Sequence, residues 1–181
     1  MAQVTFHLRR IGVVVLVALL AAMTDAGASA PGSLEYAVKA TYLLKFTRFV
    51  AWPQAAMGTN ETFNICILGS DPFGATLNQV VAGEEVAGRK IAIQRLEREP
   101  APGACQVLYI GEHQDRPRFT GEPGRAVLTV GEGSDFARNG GMIGFVIDNR
   151  RVTFDINWRA AEASGLKLSS GLLTVAQKVI R

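Results

Sequence analysis

Histidine, cysteine and blocks of like charge are all scarce in this 181-residue chain, and each scarcity argues against a class of function. The chain contains two histidines and two cysteines. Because a zinc site usually needs several such ligands at metal-binding spacing, we expect no metal site. The formal net charge is +3, but lysine and arginine are scattered rather than gathered into a patch. We therefore expect no nucleic-acid partner.

Motifs that mark common catalytic and cofactor sites are missing as well. The chain has neither the phosphate loop G-x-x-x-x-G-K-[ST] nor a G-x-G-x-x-G turn between a strand and a helix. A serine hydrolase would have to use Ser169 with His113 as its base, but "LKLSSGLL" lacks the G-x-S-x-G pattern. We predict that Ser169 or Ser170 caps a helix instead, and that His113 lies in a polar loop. The chain is expected to be no enzyme and to bind no cofactor, and a hydrolase is only a third alternative.

The N-terminus has the three parts of a secretory signal peptide. Arg9 and Arg10 precede an apolar run at 11–23, and small residues follow in two A-x-A arrangements. The run is too short to span a bilayer comfortably. We predict cleavage after Ala28 and export of the remaining chain. The alternative is an N-terminal anchor that is not cleaved.

The rest of the chain alternates between helix and strand patterns. The predicted helices are 34–50, 73–81, a short helix opening at 134, 158–163 and 172–180, and the predicted strands are 63–68, 91–96, 106–110, 126–130, 142–147 and 152–156. The last two strands flank "DNRR" and form a hairpin with a four-residue loop. The predicted organisation is a signal peptide, 1–28, followed by one domain, 29–181. We expect an α/β fold, a single compact domain with a mixed β-sheet flanked by helices, a closing β-hairpin and a C-terminal helix.

An apolar stripe runs along the first predicted helix of this domain. Its members recur at spacings of three and four, and they are Leu34, Val38, Tyr42, Phe46 and Phe49. The charged residues lie off the stripe, and they are Glu35, Lys39, Lys45 and Arg48. This pattern predicts an amphipathic helix whose charged residues lie away from its apolar face.

A second stripe marks the predicted C-terminal helix, and two interpretations of it stay open. Its members are Leu172, Leu173, Ala176, Val179 and Ile180. The stripe either packs on the sheet or, together with Leu166 and Leu168, forms a docking face for a partner. Because such a stripe needs burial somewhere, a homodimer is a further hypothesis.

The two cysteines are a candidate disulfide. Cys66 lies in predicted strand 63–68, and Cys105 comes just before predicted strand 106–110. In an oxidising compartment such a pair can be bridged, and closing the loop would stabilise the fold by roughly 4 kcal/mol on the chain-entropy model. The bridge requires the two strands to be neighbours. The alternative is two buried free thiols.

Five segments occur in a recognisable order along the domain. They are "LEYAVKATYLLKFTRFVAWP", "FNICILGSDPFG", "GRKIAIQR", "CQVLYI" and "VLTVGEGSDFARNGGMIGFVIDNRRVTFDINWRAAEASGLKLSSGLL". Together they resemble the YfiR family of periplasmic regulators, and the resemblance covers about 34–176.

The resemblance implies a non-enzymatic role in the periplasm. Members of known function bind the periplasmic domain of an inner-membrane diguanylate cyclase and hold it inactive, so that cyclic-di-GMP and biofilm formation stay low. An outer-membrane lipoprotein that binds peptidoglycan can sequester the regulator, and redox stress acting through disulfides is a second proposed input. The apolar patch that the family links to cyclase repression falls here on Leu166, Leu168, Leu172, Leu173 and Val175.

The chain departs from the family pattern in its cysteines. Cys66 and Cys105 match one of the family's two disulfides, whereas the second pair, expected around 134–150, is absent. Redox control through that second bridge is therefore not expected.

A rival hypothesis treats the chain as a small-ligand binding module. In that case a pocket lined by Phe46, Phe49, Trp52 and Phe73 would take an aromatic or heterocyclic compound. The two hypotheses are compatible, because a ligand could tune repression.

Overall fold

A computed structural model describes residues 31–58, 61–111 and 125–181, and it describes side chains from Leu34 onward. The helices are α1 (Pro31–Phe49), α2 (Gln54–Met57), α3 (Ala75–Val81), α4 (Ser134–Arg138), α5 (Trp158–Ala163) and α6 (Ser170–Val175). The strands are β1 (Val50–Ala51), β2 (Thr62–Leu68), β3 (Glu85–Val86), β4 (Arg89–Leu96), β5 (Val107–Ile110), β6 (Leu128–Glu132), β7 (Ile143–Asp148), β8 (Arg151–Asn157), β9 (Lys167–Leu168) and β10 (Lys178–Ile180). The predicted signal peptide and His113 lie outside the described residues.

Eight strands form one mixed sheet in the order β10-β8-β7-β6-β5-β2-β4-β3. Strands β4, β2, β5, β6 and β7 are parallel neighbours, whereas β3 runs antiparallel to β4 and β8 runs antiparallel to β7. A separate two-stranded sheet joins β1 to β9. Residues 32–181 form one compact unit, so the predicted mixed α/β domain is confirmed.

Alternation along the strands divides the core between the two faces of the sheet. On β2, Phe63 and Ile65 belong to the larger cluster, which α1 covers, whereas Cys66 and Leu68 belong to a smaller cluster. Strand β5 repeats the division, since Tyr109 joins the larger cluster. We call the larger cluster the α1 side and the smaller one the disulfide side.

The face of α1 that packs on the sheet differs from the predicted stripe. Lys39, Leu43 and Phe46 are buried there, and their spacing of four and three marks the true inner face. Three members of the predicted stripe remain exposed, which are Leu34, Val38 and Phe49. The inner face is rotated relative to the predicted stripe because it includes Lys39, whose ammonium forms ion pairs with two carboxylates.

The hairpin between β7 and β8 has a tighter turn than predicted. Asp148 pairs with Arg151, so the loop contains two residues rather than four. Asn149 and Arg150 both have positive φ, 46° and 62°. These values suit a two-residue turn whose twist matches that of the flanking strands.

The chain beyond α6 is a strand and not the predicted helix 172–180. Helix α6 ends at Val175, and Ala176 is extended with φ −67° and ψ 145°. Val179 and Ile180 then join β10, which pairs in parallel with β8. The apolar spacing suits a helix, but these β-branched residues also suit an edge strand. Pairing with the open edge of β8 therefore overrides the helical pattern.

Two glycines make room for one aromatic ring on the disulfide side, and a third makes room for the backbone. The ring of Phe136, in α4, occupies the space where a side chain at Gly131 or Gly141 would lie. A side chain at Gly144 would meet the backbone oxygen of Gly133 at 2.6 Å. The glycines of the segment "GEGSDFARNGGMIGF" therefore stand where close packing leaves no space for a side chain.

Candidate functional site

The predicted docking segment begins inside the fold. Leu166 is only 1% exposed and belongs to the core on the α1 side. Leu168 is half-buried in β9 and pairs with Val50 of β1. The backbone N–H of Ser169 donates to the carbonyl of Phe49 at 2.9 Å. These contacts tie the segment to the end of α1.

Burial then decreases along α6. Leu172 is 3% exposed, Leu173 is half-buried and Val175 is 65% exposed. The five predicted docking residues therefore lie along one segment but differ in access. Leu166 and Leu172 are therefore buried beneath the segment, and Val175 is the member that exposes most of its side chain to solvent.

Five large apolar side chains of the described residues are exposed, and all belong to elements on the α1 side. They are Leu34, Val38, Phe49, Ile147 and Val175, and we call them the exposed apolar surface. Ile147 shares the strand face of Phe145, which stacks on Phe46 of α1. Phe49 and Val175 lie near opposite ends of α6, a helix about 9 Å long.

Tyr42 joins the exposed flank of α1 to the hairpin. Leu34, Val38 and Tyr42 follow one another at spacings of four and so share one flank. The Tyr42 ring lies 5.5 Å from that of Phe154 and 6.2 Å from that of Phe145, between centroids. The flank therefore faces the β7–β8 hairpin, the side of the sheet that carries Ile147.

Basic side chains border this flank. Lys45 is exposed and lies one turn before Phe49. Arg48 is also exposed and forms an ion pair with Glu84. The border is thus positively charged at Lys45, which suits a carboxylate on a partner.

The four aromatic residues of the small-ligand hypothesis lie in separate ring clusters. Phe46 packs on Phe145 and Phe154, Trp52 packs edge-on against Phe63, and Phe73 packs between Tyr36 and Tyr109. Phe49 is exposed. Within the described residues they do not meet around a shared cavity, so the hypothesis stays a prediction without a located site.

Cys66 and Cys105 form the disulfide, with their Cα atoms 5.9 Å apart. Cys66 is in β2 and Cys105 precedes β5, and these strands are parallel neighbours, as the bridge requires. Both cysteines are buried in the cluster on the disulfide side. The bridge is therefore separated from the exposed apolar surface by the thickness of the sheet.

A buried polar cluster on the α1 side escaped the sequence prediction. The Lys39 ammonium contacts Glu35 at 2.5 Å and Glu132 at 2.7 Å, and the Tyr109 hydroxyl donates to Glu132 at 2.6 Å. Burial lowers the pKa of Lys39, but hydrogen bonds and opposite charge from Glu132 and Glu35 outweigh it and raise that pKa above its ordinary 10.5. The four groups fix α1 to the ends of β5 and β6.

Ser169 has the structural role that the sequence predicts. It is the N-cap of α6, and its hydroxyl oxygen accepts from the N–H of Leu172 at 3.2 Å. Across the described ranges no cluster of three histidine, cysteine or acidic side chains could hold a metal ion. In those same ranges no helix combines the length and apolar character needed to cross a bilayer.

Comparisons with known proteins give one family match. A family model described as YfiR/HmsC-like matches residues 36–177. Among solved structures, the chain is similar to an ABC domain from Streptococcus pneumonia in complex with L-Trp, at 14% identity and a TM-score of 0.47. That alignment covers 78% of this chain and 60% of the other. A likeness at this level defines neither the fold nor a ligand of this chain.

Proposed function

The chain belongs to the YfiR/HmsC-like family, and on that premise we propose that it is a periplasmic regulator that binds the periplasmic domain of an inner-membrane diguanylate cyclase. Binding holds the cyclase inactive, so cyclic-di-GMP and biofilm formation stay low. The role is regulatory rather than catalytic. An outer-membrane lipoprotein that binds peptidoglycan is a second partner, which withdraws the regulator and releases the cyclase.

The observation that carries this proposal is the exposed apolar surface. Monomeric soluble proteins rarely leave large apolar patches open unless the patch binds something. Here exposed side chains of α1, the β7–β8 hairpin and α6 lie on one side of the sheet. Leu168 and Leu173 lie half-buried behind them. We take this side as the surface that contacts the cyclase.

The chemistry of the surface specifies its partner. Apolar side chains of the cyclase domain would cover Phe49 and Val175, because desolvated apolar anchors supply most of the binding energy in such interfaces. A carboxylate on the cyclase would face Lys45 at the border, where charge complementarity steers association. Leu166 and Leu172 would hold α6 in place beneath the contact.

Val175→Asp tests the surface without disturbing the core. Because Val175 is 65% exposed, a carboxylate there remains solvated in the free protein and becomes desolvated only in the complex. We expect the affinity for the cyclase's periplasmic domain to fall by about tenfold or more. The measurement is titration calorimetry of the purified protein with the periplasmic domain of a diguanylate cyclase from the same organism.

Thr174→Asp is the matched control. Thr174 is exposed on the same helix and donates from its hydroxyl to the carbonyl of Ser170, so the substitution adds the same charge one position away. It should leave affinity within about twofold of the unsubstituted protein. Equal affinity for the Val175→Asp and unsubstituted proteins would remove α6 from the contact.

A further inference from the structure

Strand β8 has an open outer edge next to the hairpin turn. On its inner edge it pairs with β7 from Arg151 onward. On its outer edge, β10 pairs with it only from Asp155, preceded by one hydrogen bond from the N–H of Gln177 to the carbonyl of Phe154. In the part of the chain that the structure describes, no strand covers the outer edge at 151–153.

The backbone of Val152 points out of this edge. In an antiparallel pair, residues alternate between those that bond to the neighbouring strand and those that point away from it. The carbonyl of Phe154 bonds to Gln177 on the outer side. Val152, two positions earlier, therefore directs its N–H and C=O to that side as well. Open backbone groups of this kind are a template for a further strand.

A groove lies beside the open edge. It has a volume of about 590 Å³ and is lined by the two hairpin strands, their turn and Gln177. Because Gln177 immediately precedes β10, a strand seated in the groove would continue the line of β10 along β8. Val175 lies two positions before Gln177, so their Cα atoms are at most about 7 Å apart. The groove therefore borders the exposed apolar surface.

The two faces of the sheet differ in character at this edge. Val152 packs against the core of the α1 side, and Ile147, opposite it on β7, shares that side and is exposed. Arg151 and Thr153 alternate onto the disulfide side. A strand added here would place one side chain beside the two apolar ones and the adjacent side chains beside Arg151 and Thr153.

Positive charge surrounds the open edge. Arg150, Arg151 and Lys178 are exposed, and within the described residues none of the three forms an ion pair. Asp148 is the acidic residue among those that line the groove. Arg150 also has a positive φ of 62°, at a turn position that favours glycine, so the turn carries this charge despite backbone strain. These surroundings attract negative charge on a partner.

We propose that an extended, acidic segment of the cyclase's periplasmic domain adds to β8 as a strand at this edge. Its backbone would exchange N–H···O hydrogen bonds with Val152. One apolar side chain would extend the row of Val152 and Ile147, and an adjacent carboxylate would pair with Arg151. In this mode of recognition the backbone bonds supply affinity, and the alternating side chains supply specificity.

The inference rests on the proposed function and adds to it a mode of binding. It also predicts the sequence pattern of the partner segment, in which an acidic residue stands next to an apolar one. The apolar residue falls on the α1 side, where Ile147 and Val175 are exposed. The added strand would therefore join the exposed apolar surface to the basic hairpin turn in one continuous contact.

Amide hydrogen exchange followed by NMR tests the backbone contact without any substitution. The N–H of Val152 points outward and should exchange rapidly in the free protein, whereas that of Thr153 points toward β7 and should be protected throughout. A saturating concentration of the purified cyclase domain should slow exchange at Val152 by about tenfold or more. An unchanged rate at Val152 in the complex would overturn the inference and leave the proposed function intact.

Val152→Pro removes the outward N–H, and Val152→Ile is its matched control. Proline is tolerated here because the lost N–H points away from β7, whereas isoleucine keeps both the N–H and an apolar side chain. Titration calorimetry with the cyclase domain measures the affinity. It should fall by about tenfold with Val152→Pro and stay within about twofold with Val152→Ile. Equal affinities of these two variants would overturn the inference.

Arg151→Glu tests the charge contact at a position where folding is little affected, because the side chain is exposed. The affinity for the cyclase domain should fall by about tenfold or more. Arg159→Glu, the same change at an exposed position of α5 beyond the other end of β8, should leave the affinity within about twofold.

The outcomes separate the inference from the proposed function. Equal affinities of the Arg151→Glu and Arg159→Glu proteins would overturn the inference alone, because the domain would still be bound. An unsubstituted protein that does not bind the domain would overturn the proposed function and the inference with it.

Discussion

Lys39 joins α1 to the main sheet through buried ion pairs. Its side chain is 2% exposed, and its ammonium makes ion pairs with Glu35 on its own helix and with Glu132 on β6. Glu132 in turn accepts from Tyr109 on β5. Because α1 carries three of the exposed apolar side chains, this cluster also sets where the proposed binding surface lies.

Replacing Lys39 by methionine should destabilise the protein. Lys39→Met keeps the volume but leaves Glu132 partly buried without its counter-charge, which typically costs about 3 kcal/mol or more. Urea denaturation followed by circular dichroism measures the change. Lys45→Met, at an exposed position of the same helix, should alter the free energy of unfolding by less than about 0.5 kcal/mol. A Lys39→Met protein as stable as the unsubstituted one would contradict the structural role of the cluster.

The raised pKa of Lys39 predicts when this stabilisation disappears. A lysine whose pKa is higher in the folded state than in the unfolded state binds its proton more tightly when folded. Its contribution is therefore fully present below the ordinary 10.5 and is lost as the pH rises through the raised value. The difference in unfolding free energy between the unsubstituted and Lys39→Met proteins should stay constant near neutral pH and shrink above 10.5. A constant difference across both ranges would contradict this assignment.

The sequence could not predict the burial of Lys39, because apolar periodicity counts only the side chains of one helix. Its decisive partner, Glu132, lies 93 positions away. The same limit explains why the apolar stripe does not coincide with the inner face of α1, so that Leu34, Val38 and Phe49 are exposed. Their periodic spacing places these apolar side chains on one flank of the helix, and that flank is exposed because the inner face is a different one.

Among the short elements, α4 shows how a motif can encode packing. Its Phe136 ring fits over Gly131 and Gly141 because neither has a side chain. The sequence predicts a short helix that opens at 134, next to these glycines, and α4 does begin at Ser134. The sequence does not show that an aromatic ring fills the space above Gly131 and Gly141, because that arrangement depends on the pairing of β6 with β7.

Gly141→Ala tests this fit. The added methyl group would overlap the Phe136 ring, so the substitution should lower the free energy of unfolding by about 1–3 kcal/mol. Combining it with Phe136→Leu should cost less than the sum of the two single changes, because the smaller side chain relieves the overlap. Thermal denaturation of the three variants gives the coupling energy, and strictly additive effects would contradict the contact.

The C-terminal segment shows why an element type can be mistaken. Leu172, Leu173, Ala176, Val179 and Ile180 have helical spacing, yet only the first two are helical. The edge of β8 is the competing partner, and no local pattern reveals that it is open. Ser169 was predictable because its capping role depends only on residues within one turn.

At the level of the fold, the disulfide joins neighbouring strands in the centre of the sheet. The class of fold and most strands could be predicted from alternation. The strand order could not, because alternation within one strand does not show its neighbours, and β2 lies between β4 and β5. Resemblance to a family supplied the cysteine pairing that spacing alone left open. The bridge and the exposed apolar surface lie on opposite faces of the sheet.

Removing the bridge should therefore affect stability and leave binding intact. Replacing both cysteines, Cys66→Ala with Cys105→Ala, should lower the free energy of unfolding by about 2–5 kcal/mol. At a temperature where the variant is folded, its affinity for the cyclase domain should match that of the unsubstituted protein. An affinity loss in the folded variant would show that the bridge controls the binding surface.

Intracellular cyclic-di-GMP is the most direct test of the proposed regulatory role. The strain lacking this chain would be complemented with the unsubstituted protein, Val175→Asp or Thr174→Asp, each checked for equal periplasmic level. We predict that cyclic-di-GMP rises on deletion, returns to its original level with the unsubstituted and Thr174→Asp proteins, and stays high with Val175→Asp. An unchanged level on deletion, or full rescue by Val175→Asp, would contradict repression through the exposed apolar surface.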